Sequence, residues 1–339
     1  MTGVTNKLGF IYMDGMFSAG LQSGPMFQGG GSCQRTLKSA ISCVGTAVHS
    51  GERVSLTLNP APAGHGIVFC RSDLSGDVHL PARFDAVIDT RLCTVLCHPD
   101  DPRVRVGTVE HLMAALAGAG IDNIRVEVDG PELPILDGSS APFLFLIDCA
   151  GIVEQAASRA AIQVLRPVEV SDGDAFALLR PQPYPGSSDL ELTLSIDFTA
   201  PAIGRQALSL RLSSENFRRA LAPARTFALA SEIDQLRRAG LAQGGSLQNA
   251  VVVDGAEVLN PAGLRMPDEF VRHKMLDAVG DLALAGAPLA AQFVAHKSGH
   301  ALNNQLLRAL FADPANWRMT SDNGVLPAFD YSDLELQRA

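Results

Sequence analysis

Twice along this chain a run of strand-like segments precedes helix-like ones, and that order most limits the fold it can adopt. Strands repeat their apolar positions every two residues and helices about every 3.6. On that basis strands are expected at 35–42, 54–58 and 66–70, with one or two more over 84–95, ahead of a helix at 108–118. A strand at 123–128 and a helix at 141–150 complete the first series. In the second, strands at 162–170, 175–179 and 190–198 precede a helix at 231–240 and a short strand at 249–253. A helix at 267–286, a strand at 290–296 and a helix at 301–311 follow. Strands gathered ahead of helices favour α+β layers over a doubly wound parallel sheet, in which the two alternate. The pentapeptide Ala115-Leu116-Ala117-Gly118-Ala119 returns as Ala283-Leu284-Ala285-Gly286-Ala287, about half a chain later, each copy read as the end of a helix ahead of a strand. The echo supports two related halves, a first α+β domain over 34–158 and a second over 159–313. Residues 1–33, rich in Gly, Ser and Met, read as a flexible extension, and 314–339 as a loose polar tail.

The densest chemistry lies at 271–281. Val271, Met275, Leu276, Ala278 and Val279 are apolar at helical spacing, while His273, Asp277 and Asp281 stand four apart and share a face. A His nitrogen and an Asp oxygen one turn apart suit zinc; taken alone, such a pair is more often a solvated helix face. Thr108-Val109-Glu110-His111-Leu112 opens an earlier helix, with Thr108 placed to cap it. The stretch 297–304, Lys-Ser-Gly-His-Ala-Leu-Asn-Asn, brings His300 beside a glycine, where backbone can approach closely. Catalytic zinc takes three protein ligands and leaves one position open. His111, His273 and Asp277 make such a set, drawn from both halves, so the site is expected between them. Glu110 would then be the neighbouring base and His300 the proton donor to a leaving group.

Composition closes other routes. With 339 residues and 47% hydrophobic content the chain can bury a sizeable core. A net charge of -9 and the lack of any Lys/Arg run argue against nucleic acid as a partner. No apolar run reaches the roughly 18 residues that cross a bilayer, so any membrane contact is expected to be peripheral at most. Phe10 to Met13 is too short for a secretory segment, and Asp14 interrupts it. The six cysteines lack a CxxC pair and read as reduced thiols of a cytoplasmic protein. Cys93, Cys97 and His98 have no second ligand pair to make a structural zinc site.

Together these stretches resemble the UDP-3-O-acyl-N-acetylglucosamine deacetylases, which perform the committed step of lipid A biosynthesis in Gram-negative bacteria. The resemblance runs from about Gln34 to about Phe311. It is carried by Val48-His49-Ser50-Gly51, Asp89-Thr90-Arg91-Leu92-Cys93-Thr94, Thr108 to Leu112, Glu132 to Ser139, Arg225-Thr226-Phe227, His273 to Asp277 and Lys297 to Asn304. It implies two related two-layer α/β sandwich domains, each with a small insert, the second at about 228–262. It also implies zinc, or iron(II) in the cell, on His111, His273 and Asp277, with Glu110 as general base. His300 would be the general acid, held by Asp281, and Thr226 would help to stabilise the oxyanion. Lys274 and Phe227 would touch the substrate, and Ala230, Ile233, Ala242, Ser246, Leu247 and Val252 would line a passage for the acyl chain. The implied partner is the acylated nucleotide sugar, its N-acetyl group hydrolysed to acetate and free amine by a monomeric enzyme. Four positions depart from the family's habit: Ala47 and Ala228 replace glycines, His296 a tyrosine and Gln248 an aspartate. The alternatives are a zinc amidase for another N-acyl sugar or peptide, and a non-catalytic scaffold, which would be expected to have lost Glu110 or His300.

Overall fold

The computed structural model describes residues 33–75, 78–183 and 189–320. The expected N-terminal extension, apart from Cys33, lies outside the described residues, as does the tail beyond residue 320. The first series forms strands β1 (Ile41–Thr46), β2 (Arg53–Pro60), β3 (Ile67–Arg71) and β4 (His79–Pro81), helix α1 (Glu110–Ala119), strand β5 (Ile124–Val128) and helix α2 (Ala141–Ala150). The second forms β6 (Val168–Asp172), β7 (Ala175–Arg180), β8 (Leu190–Asp197), β9 (Arg205–Arg211), α3 (Ala230–Arg238), α4 (Glu269–Ala283), β10 (Leu289–His296) and α5 (His300–Ala312). One sheet runs β1-β2-β5-β3-β4, with β5 antiparallel to β2 and parallel to β3. The other runs β6-β7-β10-β8-β9, with β10 antiparallel to β7 and parallel to β8. The two orders and orientations are the same, so the fold is α+β, two related layered halves. In each, the last central strand arrives parallel to a neighbour after a helix, the kind of crossover a parallel pair requires.

Period-two patterning explains the layers. Val54, Leu56 and Leu58 of β2 are buried and alternate with more exposed neighbours, as do Leu190, Leu192, Leu194 and Ile196 of β8. Helices α1 and α4 are buried almost all round, because each lies between its own sheet and the other half. They pack closely along each other. Gly280 makes this possible: a Cβ there would overlap the carbonyl oxygen of Glu110. A small sheet of Val87–Asp89, Val95–Cys97 and Arg105–Val106 is inserted between β4 and α1. Its counterpart between β9 and α4 holds Phe227–Leu229, α3, Val251–Asp254 and Glu257–Val258.

Several local expectations change. The run 35–42 is two strands, Cys33–Leu37 and β1, and the first pairs with Ile152–Ser158, an exposed strand that apolar patterning does not announce. Pro167 divides 162–170 into Ile162–Val164 and β6. Strand β9 is likewise absent from the sequence expectation, since alternate residues are only half-buried at this sheet edge. Pro314 to Met319 is not loose: Trp317–Met319 pairs with Ile162–Val164, and the Trp317 ring packs on Phe311, itself stacked on Phe84. The repeated pentapeptide is out of step with the fold, closing α1 in one copy but lying mostly beyond α4 in the other. Thr108 does not cap α1. Val109 holds that position, while Thr108 adopts a positive φ of 57° and donates its hydroxyl to Glu132 Oε1 at 3.1 Å. No described helix is long and apolar enough to cross a membrane.

Candidate active site

The α1–α4 crossing sets His111, in the first turn of α1, against His273 and Asp277 of α4. One candidate ligand atom from each lies within 4.8 Å of the others. Asp277 Oδ1 is 3.3 Å from His273 Nε2 and 3.5 Å from His111 Nε2. The two imidazoles stand edge to face, centroids 5.0 Å apart. His273 Nδ1 lies 3.1 Å from the Ala224 carbonyl oxygen, which only accepts, so this nitrogen carries the proton. Burial pushes the His273 pKa down to about 4, so the ring is neutral and its Nε2 lone pair faces the carboxylate. Asp277 Oδ1 has no hydrogen-bond partner among the described residues. Two acceptors turned on each other in a buried place are costly; a cation between them removes the cost. The donor set of two imidazoles and a carboxylate fits a catalytic transition-metal site.

Glu110 and His300 share one cavity with this triad. Glu110 is buried, its Oε2 accepts the Thr94 N–H at 3.0 Å, and burial pushes its carboxyl above the ordinary value against the pull of His300 and His111. A base with a raised pKa is better matched to neutral pH. His300, the first residue of α5, donates from Nδ1 to Asp281 Oδ2 at 2.9 Å. Burial would depress this imidazole, but the Asp281 carboxylate outweighs it and the pKa is pushed up to about 9. His300 is therefore a cation with its other nitrogen free to donate.

A cavity of about 470 Å³ contains Glu110, His111, His273, Asp277 and His300 and runs on beneath the second insert. Thr226, Phe227 and Lys274 line it, as do Ile233, Ala242, Ser246, Leu247 and Val252. Lys274 Nζ is 2.9 Å from Asp277 Oδ2, and the Phe227 ring packs on Phe270 and His273. Thr226 is fixed by its backbone, donating to the Gly138 carbonyl and accepting from Val251. Gly138 is required there, since a Cβ would overlap the Asn249 carbonyl oxygen and φ is +82°.

The family model for UDP-3-O-acyl N-acetylglycosamine deacetylase matches residues 34–312. The chain belongs to this family. A UDP-3-O-acyl-N-acetylglucosamine deacetylase of Myxococcus xanthus (strain DK1622) is 51% identical over 282 residues, 83% of this chain and 87% of the relative. One from Anaeromyxobacter sp. (strain Fw109-5) is 50% identical over 295 residues, 86% of this chain and 94% of the relative. A third, from Mannheimia succiniciproducens, is 49% identical over 290 residues, 85% of this chain and 93% of the relative.

Within this deacetylase some sequence expectations fall elsewhere. Ala230 begins α3 and lies outside the cavity lining, and Asp281 sits behind His300. Phe198 lines the cavity without any sequence signal for it beyond apolar character, while Leu92 is marked only by its family motif and Leu229 and Leu236 only by their place in the second insert. Thr94 bonds Glu110 directly and Asn303 bonds Asp281, and only their place in the family's motifs points to them. Of the four departures, Ala228 lines the cavity, Ala47 is buried, Gln248 is exposed, and His296 Nδ1 lies 2.8 Å from Ser195 Oγ. His49 lines the cavity and gives its backbone N–H to Glu132 Oε1. A larger cleft of about 910 Å³ opens at the far ends of α1 and α4, beside Gly118, Asp122, Arg159 and Leu282, and holds none of the triad or acid–base residues. Chemistry rather than volume singles out the smaller cavity as the candidate site.

Proposed function

We propose that this deacetylase hydrolyses the N-acetyl group of UDP-3-O-acyl-N-acetylglucosamine to acetate and the free amine, the committed step of lipid A biosynthesis. Held by His111, His273 and Asp277, zinc, with iron(II) as the alternative, supplies Lewis acidity toward the acetyl carbonyl and the attacking water. Glu110 takes a proton from that water as its oxygen adds to the carbonyl carbon. The Thr226 hydroxyl donates to the carbonyl oxygen as charge develops on it. The C–N bond then breaks, and cationic His300, oriented by Asp281, gives its proton to the departing amine. Lys274 and Phe227 contact the sugar end of the substrate, and the acyl chain runs along the cavity beside Ile233, Ala242, Ser246, Leu247 and Val252. The enzyme acts as a cytoplasmic monomer, its two domains spanning 34–158 and 159–313.

The observation that carries this reading is the placement of a raised-pKa carboxylate and a cationic imidazole in one cavity with a two-His, one-Asp cluster. The names of the relatives give the substrate. The test is acetate release from the acylated nucleotide sugar, with and without a chelator. Release that stops on chelation and returns with zinc supports the proposal. Release from acetylated peptides or another N-acyl sugar, with none from the nucleotide sugar, would replace it with the broader amidase.

A further inference from the structure

Thr94 sits in the first insert, next to the strand Val95–Cys97, with 1% of its surface exposed. Its two donors point to different partners. The backbone N–H goes to Glu110 Oε2 at 3.0 Å, and the hydroxyl goes to Asp281 Oδ1 at 2.6 Å. Glu110 is on α1 and Asp281 on α4, so one insert residue ties the two helices together behind the triad. The other Asp281 oxygen, Oδ2, accepts from His300 Nδ1 at 2.9 Å and from Asn303 Nδ2 at 2.8 Å. Among the described residues the Thr94 hydroxyl is the one donor to Oδ1. Without it the carboxylate is held on one side only and can turn about its terminal torsion, which is soft. The imidazole that hangs on Oδ2 would turn with it.

We propose that Thr94 is a positioning residue that sets the distance and angle between Glu110 and His300, acting on the first through its N–H and on the second through Asp281. This rests on the roles proposed for Glu110 and His300 above. Its hydroxyl bonds Asp281, and neither Thr94 nor Asp281 lines the cavity, so losing it reaches the cavity through Asp281. A displacement near 1 Å of a catalytic group costs on the order of 10²-fold in rate.

The experiment compares Thr94→Val and Thr94→Ser in full-length, metal-loaded enzyme. Thr94→Val should lower kcat about 10- to 100-fold, with KM within about 2-fold and metal content unchanged. Thr94→Ser, which restores the hydroxyl, should recover most of the rate. A hydroxyl that only satisfies a buried acceptor would instead lower thermal stability and leave the kcat of the folded enzyme alone. The second arm repeats Thr94→Val in a His300→Ala background. If Thr94 acts through His300, its effect on kcat disappears there, because groups that work as a unit are not additive. A Thr94→Val rate within 2-fold of wild type, or a loss that persists in the His300→Ala background, overturns the inference. Thr94→Ala removes the same hydroxyl and gives the same reading if Thr94→Val does not fold. A wild type inactive on the nucleotide sugar would take down the proposed function with it, whereas an active wild type and an indifferent Thr94→Val take down this inference alone.

Discussion

At the scale of single residues, the roles proposed for Glu110 and His300 predict, from their opposed environments, how the rate should depend on pH. Glu110 must be ionised to accept a proton, and burial raises its pKa, so kcat/KM should fall as pH drops through a value above the ordinary carboxylate range. His300 must be protonated to donate. Its pKa is raised to about 9, so its contribution is present at lower pH and lost as pH rises through that value. A divalent cation nearby disfavours the imidazolium and moves this limb down. The profile should be a bell. Asp281→Asn removes the charge that raises the His300 pKa and should shift the alkaline limb to lower pH; an unmoved limb would separate Asp281 from His300. Glu110→Gln keeps the shape but cannot take a proton, and should lower kcat about 10²–10⁴-fold while metal stays bound, as elemental analysis would read. Most of these residues are legible in the chain itself, because His273, Asp277 and Asp281 announce one helix face by their spacing alone. Thr94 is marked only by its place in the motif Asp89 to Thr94, since a threonine between strands has no spacing that reveals two partners on two distant helices.

At the scale of elements, the α1–α4 crossing is what turns separate motifs into a site. Gly280 is the contact point, and the atom a Cβ would meet is backbone, the Glu110 carbonyl oxygen, which no rotamer change can move away. Gly280→Ala should therefore push the helices apart and destabilise the fold by about 1–3 kcal/mol, as overpacking does. It should also carry His111 away from His273 and Asp277, so metal retention after dialysis should fall. Retention equal to wild type would show that the triad tolerates a wider crossing. The second insert sets the other element-scale expectation. Ile233 lies on α3 and lines the cavity, with none of the backbone cost of Ala242, whose φ is +52°. Ile233→Trp should suppress turnover of long-chain substrates and spare a short-chain analogue. In wild type, each pair of methylenes removed from the acyl chain should lower kcat/KM by up to about 15-fold, from about 0.8 kcal/mol per buried methylene. Equal rates for long and short chains would remove the passage.

At the scale of the whole molecule, a metal held as proposed by one half's His111 and the other half's His273 and Asp277 would link the halves, so binding and folding should be coupled. At a metal concentration 100 times the Kd this is worth about 2.7 kcal/mol, or a Tm rise of roughly 4 °C for a chain of this size. Chelation should reverse it, and either His111→Ala or His273→Ala should abolish the shift; a Tm indifferent to metal in wild type would contradict the coupling. The sequence by itself determined the two α+β series, the helices and most strands, and offered His111, His273 and Asp277, with Glu110 and His300, as candidates, since all of these rest on periodicity or motif order read over short stretches. Only the tertiary structure decided that β1-β2-β5-β3-β4 and β6-β7-β10-β8-β9 share one order. It alone added β9 and Trp317–Met319 to the sheets and made Gly280 the contact between helices. The physical reason is range. Apolar periodicity is written in neighbouring residues, whereas the partner of an edge strand, the atom facing a glycine and the second acceptor of a threonine are fixed by segments far away along the chain.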